Sequence, residues 1–237
     1  MLIKRMTLFL FALAMGVVLT CAGAGADAPV CKDANVMRAG MERAVEAVTQ
    51  GLKKLETKGL GKNELALVVD PGAQKMYLVR GGAVVKEYDV STAAQGLGCL
   101  MDTYKTPVGT HRIKEKVGQG VKRGTIFKSR INTGRVARIL EENIDTAEDA
   151  ITSRIMWLEG QEQGVNKGQN SRGLVVDSHA RFIYIHGTSE EGLIGRPASL
   201  GCIRMRNNDV MELFELLPSG TLVEILNRQY VADRDGA

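Results

Sequence analysis

Residues 182–205 read FIYIHGTSEEGLIGRPASLGCIRM. The run opens on four apolar residues, Phe182-Ile183-Tyr184-Ile185, which read as a strand ending at His186. It closes on Ser199-Leu200-Gly201-Cys202-Ile203-Arg204. The turn formers Gly187, Gly192, Gly195 and Pro197 lie between, so the chain can loop out and come back. His186 and Cys202 are 16 positions apart, too far to meet along one helix or one strand. A returning loop places the thiol beside the imidazole. A cysteine nucleophile needs that arrangement, because the thiolate attacks and a base must take the S–H proton. A single Cys is more often a small buried hydrophobe, and a single His a structural residue. The flanks favour chemistry: Gly201 removes bulk beside the sulfur, and Arg204 carries a planar cation suited to gripping a carboxylate.

These residues resemble the signature of the L,D-transpeptidase (YkuD-type) family: His186-Gly187-Thr188, a loop, then Ser199-x-Gly201-Cys202-Ile203-Arg204-Met205. Upstream, Ser91-Thr92, Thr106-Pro107-x-Gly109 and Arg154-Ile155-Met156-Trp157-Leu158 with Gly160 are similar to further family landmarks, so the likeness runs from residue 64 to 225. Leu200 departs from the pattern, since many members carry a His before Gly-Cys. The resemblance implies a mainly β domain with a few helices, sandwich-like or barrel-like, preceded by an N-terminal helix. It implies Cys202 as nucleophile, His186 as base and the Gly187 carbonyl as the group that orients the imidazole. Arg204, Ser199, Gly201 and Thr188 are then the substrate-binding residues. The implied substrate is the tetrapeptide stem of peptidoglycan, with D-alanine released through a Cys thioester and a 3→3 cross-link formed. Water as acceptor would make an L,D-carboxypeptidase, and a lysine of an outer-membrane lipoprotein an anchoring enzyme. A non-catalytic wall-binding module on the same fold is the remaining alternative. Carbapenems are the implied inhibitors, and neither metal nor organic cofactor is implied.

Outward from this core, the N-terminus reads as an address. Lys4 and Arg5 precede a nearly unbroken apolar run over residues 8–19 and the small residues Cys21-Ala22-Gly23-Ala24-Gly25-Ala26. That is the layout of a secretory signal peptide over residues 1–26, with Ala24-x-Ala26 as cleavage site. The apolar run falls short of the ~20 residues that span a bilayer. Lipidation at Cys21 is the alternative to cleavage. Export to the periplasm or cell envelope follows. In that oxidising compartment Cys31, Cys99 and Cys202 remain, an odd number. With Cys202 at work, Cys31 and Cys99 are free to pair; a Cys99–Cys202 bridge would instead silence the enzyme. No Cys-x-x-Cys or His-x-x-x-His spacing signals zinc or a redox dithiol.

Within residues 27–61, Met37, Met41, Val45, Val48, Leu52 and Leu55 form one apolar stripe, a helix over 35–58 stopped by Gly59. The catalytic domain is expected over 62–227, followed by a polar tail, 228–237. Residues 64–70, 74–80 and 83–91 read as a meander turned at Asp70-Pro71-Gly72 and Arg80-Gly81-Gly82. A strand near 111–114 follows Thr106-Pro107. Residues 115–150 read as a flexible basic loop around Lys116, Lys122, Arg123 and Lys128, with a short helix starting at Asp145-x-x-Glu148. Strands follow at 151–158 and at 172–177 or 182–185. His111 reads as structural, His179 as exposed and Trp157 as core. After Cys202, Asn207-Asn208-Asp209 reads as the cap of a helix over 210–217, and 221–226 as the last strand. Net charge is +4, or +2 without residues 1–26, and no basic stripe with interleaved aromatics appears, so a nucleic-acid partner is excluded. Hydrophobic content of 44% is enough for one substantial core.

Overall fold

A computed structural model describes residues 30–146 and 148–230, with side chains from residue 36. The leader over residues 1–26, the Cys31 side chain and most of the polar tail therefore lie outside the described residues. The chain divides into two compact units, residues 1–46 and 47–237. Helix α1 (Val30–Thr57) crosses that boundary. In the second unit its last turns bury Ala47, Val48 and Leu55. A Cβ on Gly51 would lie 2.5 Å from Val68 Cγ1, so only glycine lets the helix lie this close on the sheet. Gly59, at φ +90°, stops the helix, and the Leu60 N–H returns to Leu55 O.

The sheet starts with the meander the apolar runs demand: β1 (Leu65–Asp70), β2 (Lys75–Arg80) and β3 (Ala83–Ser91), all antiparallel. Then come β4 (Gly109–Val117), β5 (Thr125–Lys128), β6 (Ile131–Val136), β7 (Ile151–Gly160), β8 (Tyr184–Thr188), β9 (Ile203–Met205) and β10 (Leu222–Ile225). Helix α2 (Asn207–Leu216) lies between the last two strands. The strand order is β4-β10-β1-β2-β3-β9-β8-β7-β5-β6, and β4 also pairs with β7. That extra pairing closes eight strands into a barrel and leaves β5–β6 as a hairpin on β7. Leu67, Met76, Ile113, Met156, Ile185 and Ile203 fill the interior, and α2 adds Val210, Leu213 and Phe214 to the same core. The mainly β barrel-like domain is as expected.

Several local readings are corrected. Residues 115–150 hold the end of β4 and the whole β5–β6 hairpin rather than one loop, and no helix starts at Asp145-x-x-Glu148 among the described residues. Residues 172–177 form no strand, only the single bridge Gln169–Val175. Asn207 does not cap α2, which begins after Arg206 without a side-chain cap; its amide is drawn into the barrel instead. Lys116 is no free loop cation. Its Nζ donates to Phe214 O (2.6 Å) and Leu217 O (2.7 Å), satisfying carbonyls at the end of α2. His179 is half-buried, its ring stacked 3.9 Å from that of Trp157, which is itself buried as expected.

Candidate active site

The site is made by a parallel pair. Strands β8 and β9 run side by side with Ile185 opposite Ile203 and His186 opposite Arg204. Side chains alternate along each strand, so Tyr184 and His186 share a face with Cys202 and Arg204. Adjacent strands lie about 4.8 Å apart. The loop over residues 189–202 thus returns the sulfur to the strand that carries the imidazole. Both line one cavity of about 330 Å³, together with Arg130, Asp149, Phe182, Tyr184 and Leu200.

The sulfur sits between two backbone groups of the neighbouring segment. Tyr184 N–H donates to Cys202 Sγ at 3.4 Å, and the thiol faces Phe182 O, also at 3.4 Å. Burial pushes the thiol up to about 12; the Asp149 charge adds to this, while the Tyr184 N–H and the Arg204 and Arg181 cations oppose it. His186 is buried, and its Nδ1–H donates to Gly187 O at 2.8 Å. That bond fixes the tautomer and leaves the Nε2 lone pair for the cavity. Nε2 makes no hydrogen bond among the described residues. Burial lowers the His186 pKa, against the raising pull of Asp149 and Gly187. Both shifts favour the neutral forms, thiol and imidazole.

Glycines set the approach. A Cβ on Gly187 would stand 2.7 Å from Asn207 Oδ1 and 2.8 Å from Thr152 O, so no other residue fits beside His186. Gly201 holds φ +128°, which side chains rarely adopt. Ser199 ties this turn: its Oγ donates to Cys202 O (2.6 Å) and accepts from Gly201 N–H (3.2 Å). Ser199, fully buried, therefore holds the turn that carries Cys202 rather than facing the cavity. Thr188 is also fully buried, its Oγ1 accepting from Glu190 N–H at 3.1 Å. It is not a substrate contact.

Arg204 is the main correction among the site residues. It is 1% exposed, with one guanidinium nitrogen 2.9 Å from Glu190 Oε2 and the other 2.7 Å from Asp149 Oδ1. Two carboxylates already hold it, so it braces the loop behind Cys202 and grips no incoming carboxylate. The same loop is strapped from outside. Leu140 N–H donates to Ser189 O, Gly192 N–H donates to Leu140 O, and Thr146 Oγ1 donates to Glu190 Oε1.

Reading the sequence missed three residues that matter here. Asp149 carries a charge into the cavity from a segment with no periodic signal. Arg130 lines the cavity from the β5–β6 turn. Asn207 joins the strands behind Gly187: its Oδ1 accepts from Thr152 (2.7 Å) and Ser153 (2.5 Å), and its Nδ2 donates to Thr188 O (2.7 Å) and Glu191 Oε1 (2.6 Å). A polar pair opening a helix was the one visible hint. Cys99 and Cys202 both carry free thiols, so no Cys99–Cys202 bridge exists; the Cys99 thiol faces Val108 O at 3.9 Å.

The L,D-transpeptidase catalytic domain family model matches residues 64–225. The chain belongs to that family. Similar L,D-transpeptidases include the probable L,D-transpeptidase ErfK/SrfK of Escherichia coli strain K12, 40% identical over 70 residues, which are 29% of this chain and 23% of that protein. The putative L,D-transpeptidase YkuD of Bacillus subtilis strain 168 is 54% identical over 41 residues, 17% of this chain and 25% of that one. The chain thus spans about a quarter of the length of the curated relatives it matches. Among solved structures, an L,D-transpeptidase from Mycobacterium smegmatis aligns over 69% of this chain and 58% of its own, at 15% identity and TM-score 0.41. Residues 64–225 contain every strand of the barrel and both members of the Cys202–His186 pair.

Proposed function

We propose that this chain is an exported L,D-transpeptidase that acts on peptidoglycan tetrapeptide stems and forms 3→3 cross-links. One observation supports the reading: Cys202 and His186 line the same cavity, and the imidazole Nδ1 is already tied to Gly187 O. The donor bond joins the L-centre acyl group of the third residue's diamino acid to the terminal D-alanine. Because the thiol is pushed up and the imidazole down, proton transfer accompanies attack rather than preceding it. The Cys202 sulfur bonds the carbonyl carbon, its proton passes to His186 Nε2, and the carbonyl electron pair moves onto oxygen. In this reading the Cys202 backbone N–H, at the turn before β9, holds that oxyanion. Collapse expels D-alanine as its amine, protonated by His186, and leaves the thioester. A side-chain amine of a second stem attacks the thioester, His186 takes its proton, and the free thiol returns. No step calls for a metal or organic cofactor.

Incubating the purified protein with tetrapeptide-bearing sacculi and separating the muropeptides tests this. Tetrapeptide–tripeptide dimers and free D-alanine are expected, and both should vanish in Cys202→Ala. Tripeptide monomers alone would replace the reading with an L,D-carboxypeptidase, and unchanged muropeptides with a wall-binding module. A lipoprotein lysine as acceptor would show as a muropeptide-linked protein. Carbapenems, on the same reading, acylate Cys202.

A further inference from the structure

Arg204 is buried behind the cavity rather than in its wall, and among the described residues that line it the arginine is Arg130. Arg130 occupies the second position of the two-residue turn between β5 and β6, where Lys128 pairs with Ile131. Ser129 and Arg130 both have positive φ, 49° and 68°. Such a turn is ordinarily built from Asn-Gly, because side chains at positive φ are strained. An arginine kept at that cost points to a task for its side chain.

The guanidinium is fixed on three sides. Its carbon lies 4.4 Å from the centroid of the Trp157 ring and 5.2 Å from that of Phe182. One terminal nitrogen donates to Tyr184 Oη at 3.1 Å. Tyr184 and Trp157 meet edge to face at 5.6 Å, so the aromatic box is itself braced. Among the described residues no carboxylate pairs with Arg130. Two of the three residues that hold this cation also hold the nucleophile, since Phe182 O and Tyr184 N–H are the backbone partners of Cys202 Sγ. The distance from cation to sulfur is thereby set by one short stretch of chain. A half-buried, pre-oriented, unpaired guanidinium on the wall of a reactive cleft is a receptor for a carboxylate, with little side-chain freedom left to lose.

We propose that Arg130 forms the anionic subsite of the cleft and binds a carboxylate of the acyl donor beside the scissile carbonyl. This rests on the proposed transpeptidase reading. Two donor carboxylates carry that chemistry: the free side-chain carboxylate of the diamino acid and the α-carboxylate of the terminal D-alanine. Three donors separate them: the tetrapeptide, the tetrapeptide amidated on the diamino acid, and the tetrapeptide ending in D-alaninamide.

D-Alanine or D-alaninamide release is measured for wild type, Arg130→Gln and Arg130→Lys. In Arg130→Gln, KM for the diacid donor is expected to rise about tenfold or more, with kcat changed far less. Arg130→Lys recovers part of the loss. Against whichever amidated donor lacks the bound carboxylate, wild type and Arg130→Gln become equal, and that donor names the carboxylate. Alkylation of Cys202 by neutral iodoacetamide should be unchanged in both variants, which verifies an intact site. Calorimetric binding of the three donors to Cys202→Ala, with and without Arg130→Gln, reads the subsite without turnover. Selective loss of acid-donor binding there supports the subsite even if the wild type proves not to turn over donors, which would overturn the transpeptidase reading alone. Equal binding of all donors with and without Arg130 would overturn the subsite, whatever the turnover.

Discussion

Two buried histidines in this barrel share a first partner and differ in the second. His111 in β4 turns Nδ1 to Gly109 O at 2.9 Å, and His186 in β8 turns Nδ1 to Gly187 O at 2.8 Å. Burial lowers the pKa of both. They part at Nε2. In His111 it meets Ser178 Oγ at 2.9 Å, so the ring is satisfied on both sides and locks β4 to the loop before β8. In His186 it meets no partner among the described residues, and the residue lines a cavity together with Cys202. One backbone device sets the tautomer in each case. Whether the far nitrogen is occupied separates a structural histidine from a base.

The largest test of that contrast is a pair of truncations. His186→Ala should lower D-alanine release about a thousandfold, the scale of a general base. His111→Ala should reduce stability while leaving the rate per folded molecule nearly intact. Equal losses of rate in the two variants, corrected for folded fraction, would erase the distinction.

A smaller effect probes the resting state of the pair. With the Cys202 thiol pushed up to about 12, its alkylation by iodoacetamide should climb about tenfold per pH unit between pH 7 and 9. Peptide mapping separates it from Cys99. A rate that is flat over this range would mean a standing thiolate–imidazolium pair, and the proton would have moved before attack.

The smallest effect belongs to His111. Burial holds its folded pKa at about 4, below the ordinary 6.5, with the Gly109 bond and Glu162 pulling upward and Arg181 downward. A depressed pKa favours the neutral ring, so its contribution to stability is whole above 6.5 and drains away as pH falls toward 4. The slope approaches about 1.4 kcal/mol per pH unit for one proton. Urea midpoints across this window should therefore fall more steeply in wild type than in His111→Gln. Parallel curves would show that His111 does not titrate as described.

Much of this was legible in the chain, and the reasons are local. The first three strands announce themselves by apolar runs between Asp70-Pro71-Gly72 and Arg80-Gly81-Gly82. The proposed nucleophile and base stand out because His186-Gly187 and Gly201-Cys202 keep residue types that geometry requires. The β5–β6 hairpin gave no such sign. β5 has four residues, β6 is exposed at every position, and the turn between them uses Ser129-Arg130 where glycine would have been visible. Arg204 was misread for another reason. Its chemistry suits a carboxylate clamp, and it is one, but the carboxylates are Glu190 and Asp149 of the same chain. Partner identity at that site depends on how segment 140–149 is strapped across the loop, which no spacing encodes.

The central claim is that the Cys202 sulfur carries the acyl group. The direct measurement is to mix the protein with a tetrapeptide donor and no amine acceptor, quench in acid within the first turnover, and map the chain by mass. The account predicts the acyl group on the Cys202 peptide, one D-alanine released for each acylated chain, and neither in His186→Ala on the same timescale. D-Alanine released with the Cys202 peptide unshifted would contradict it.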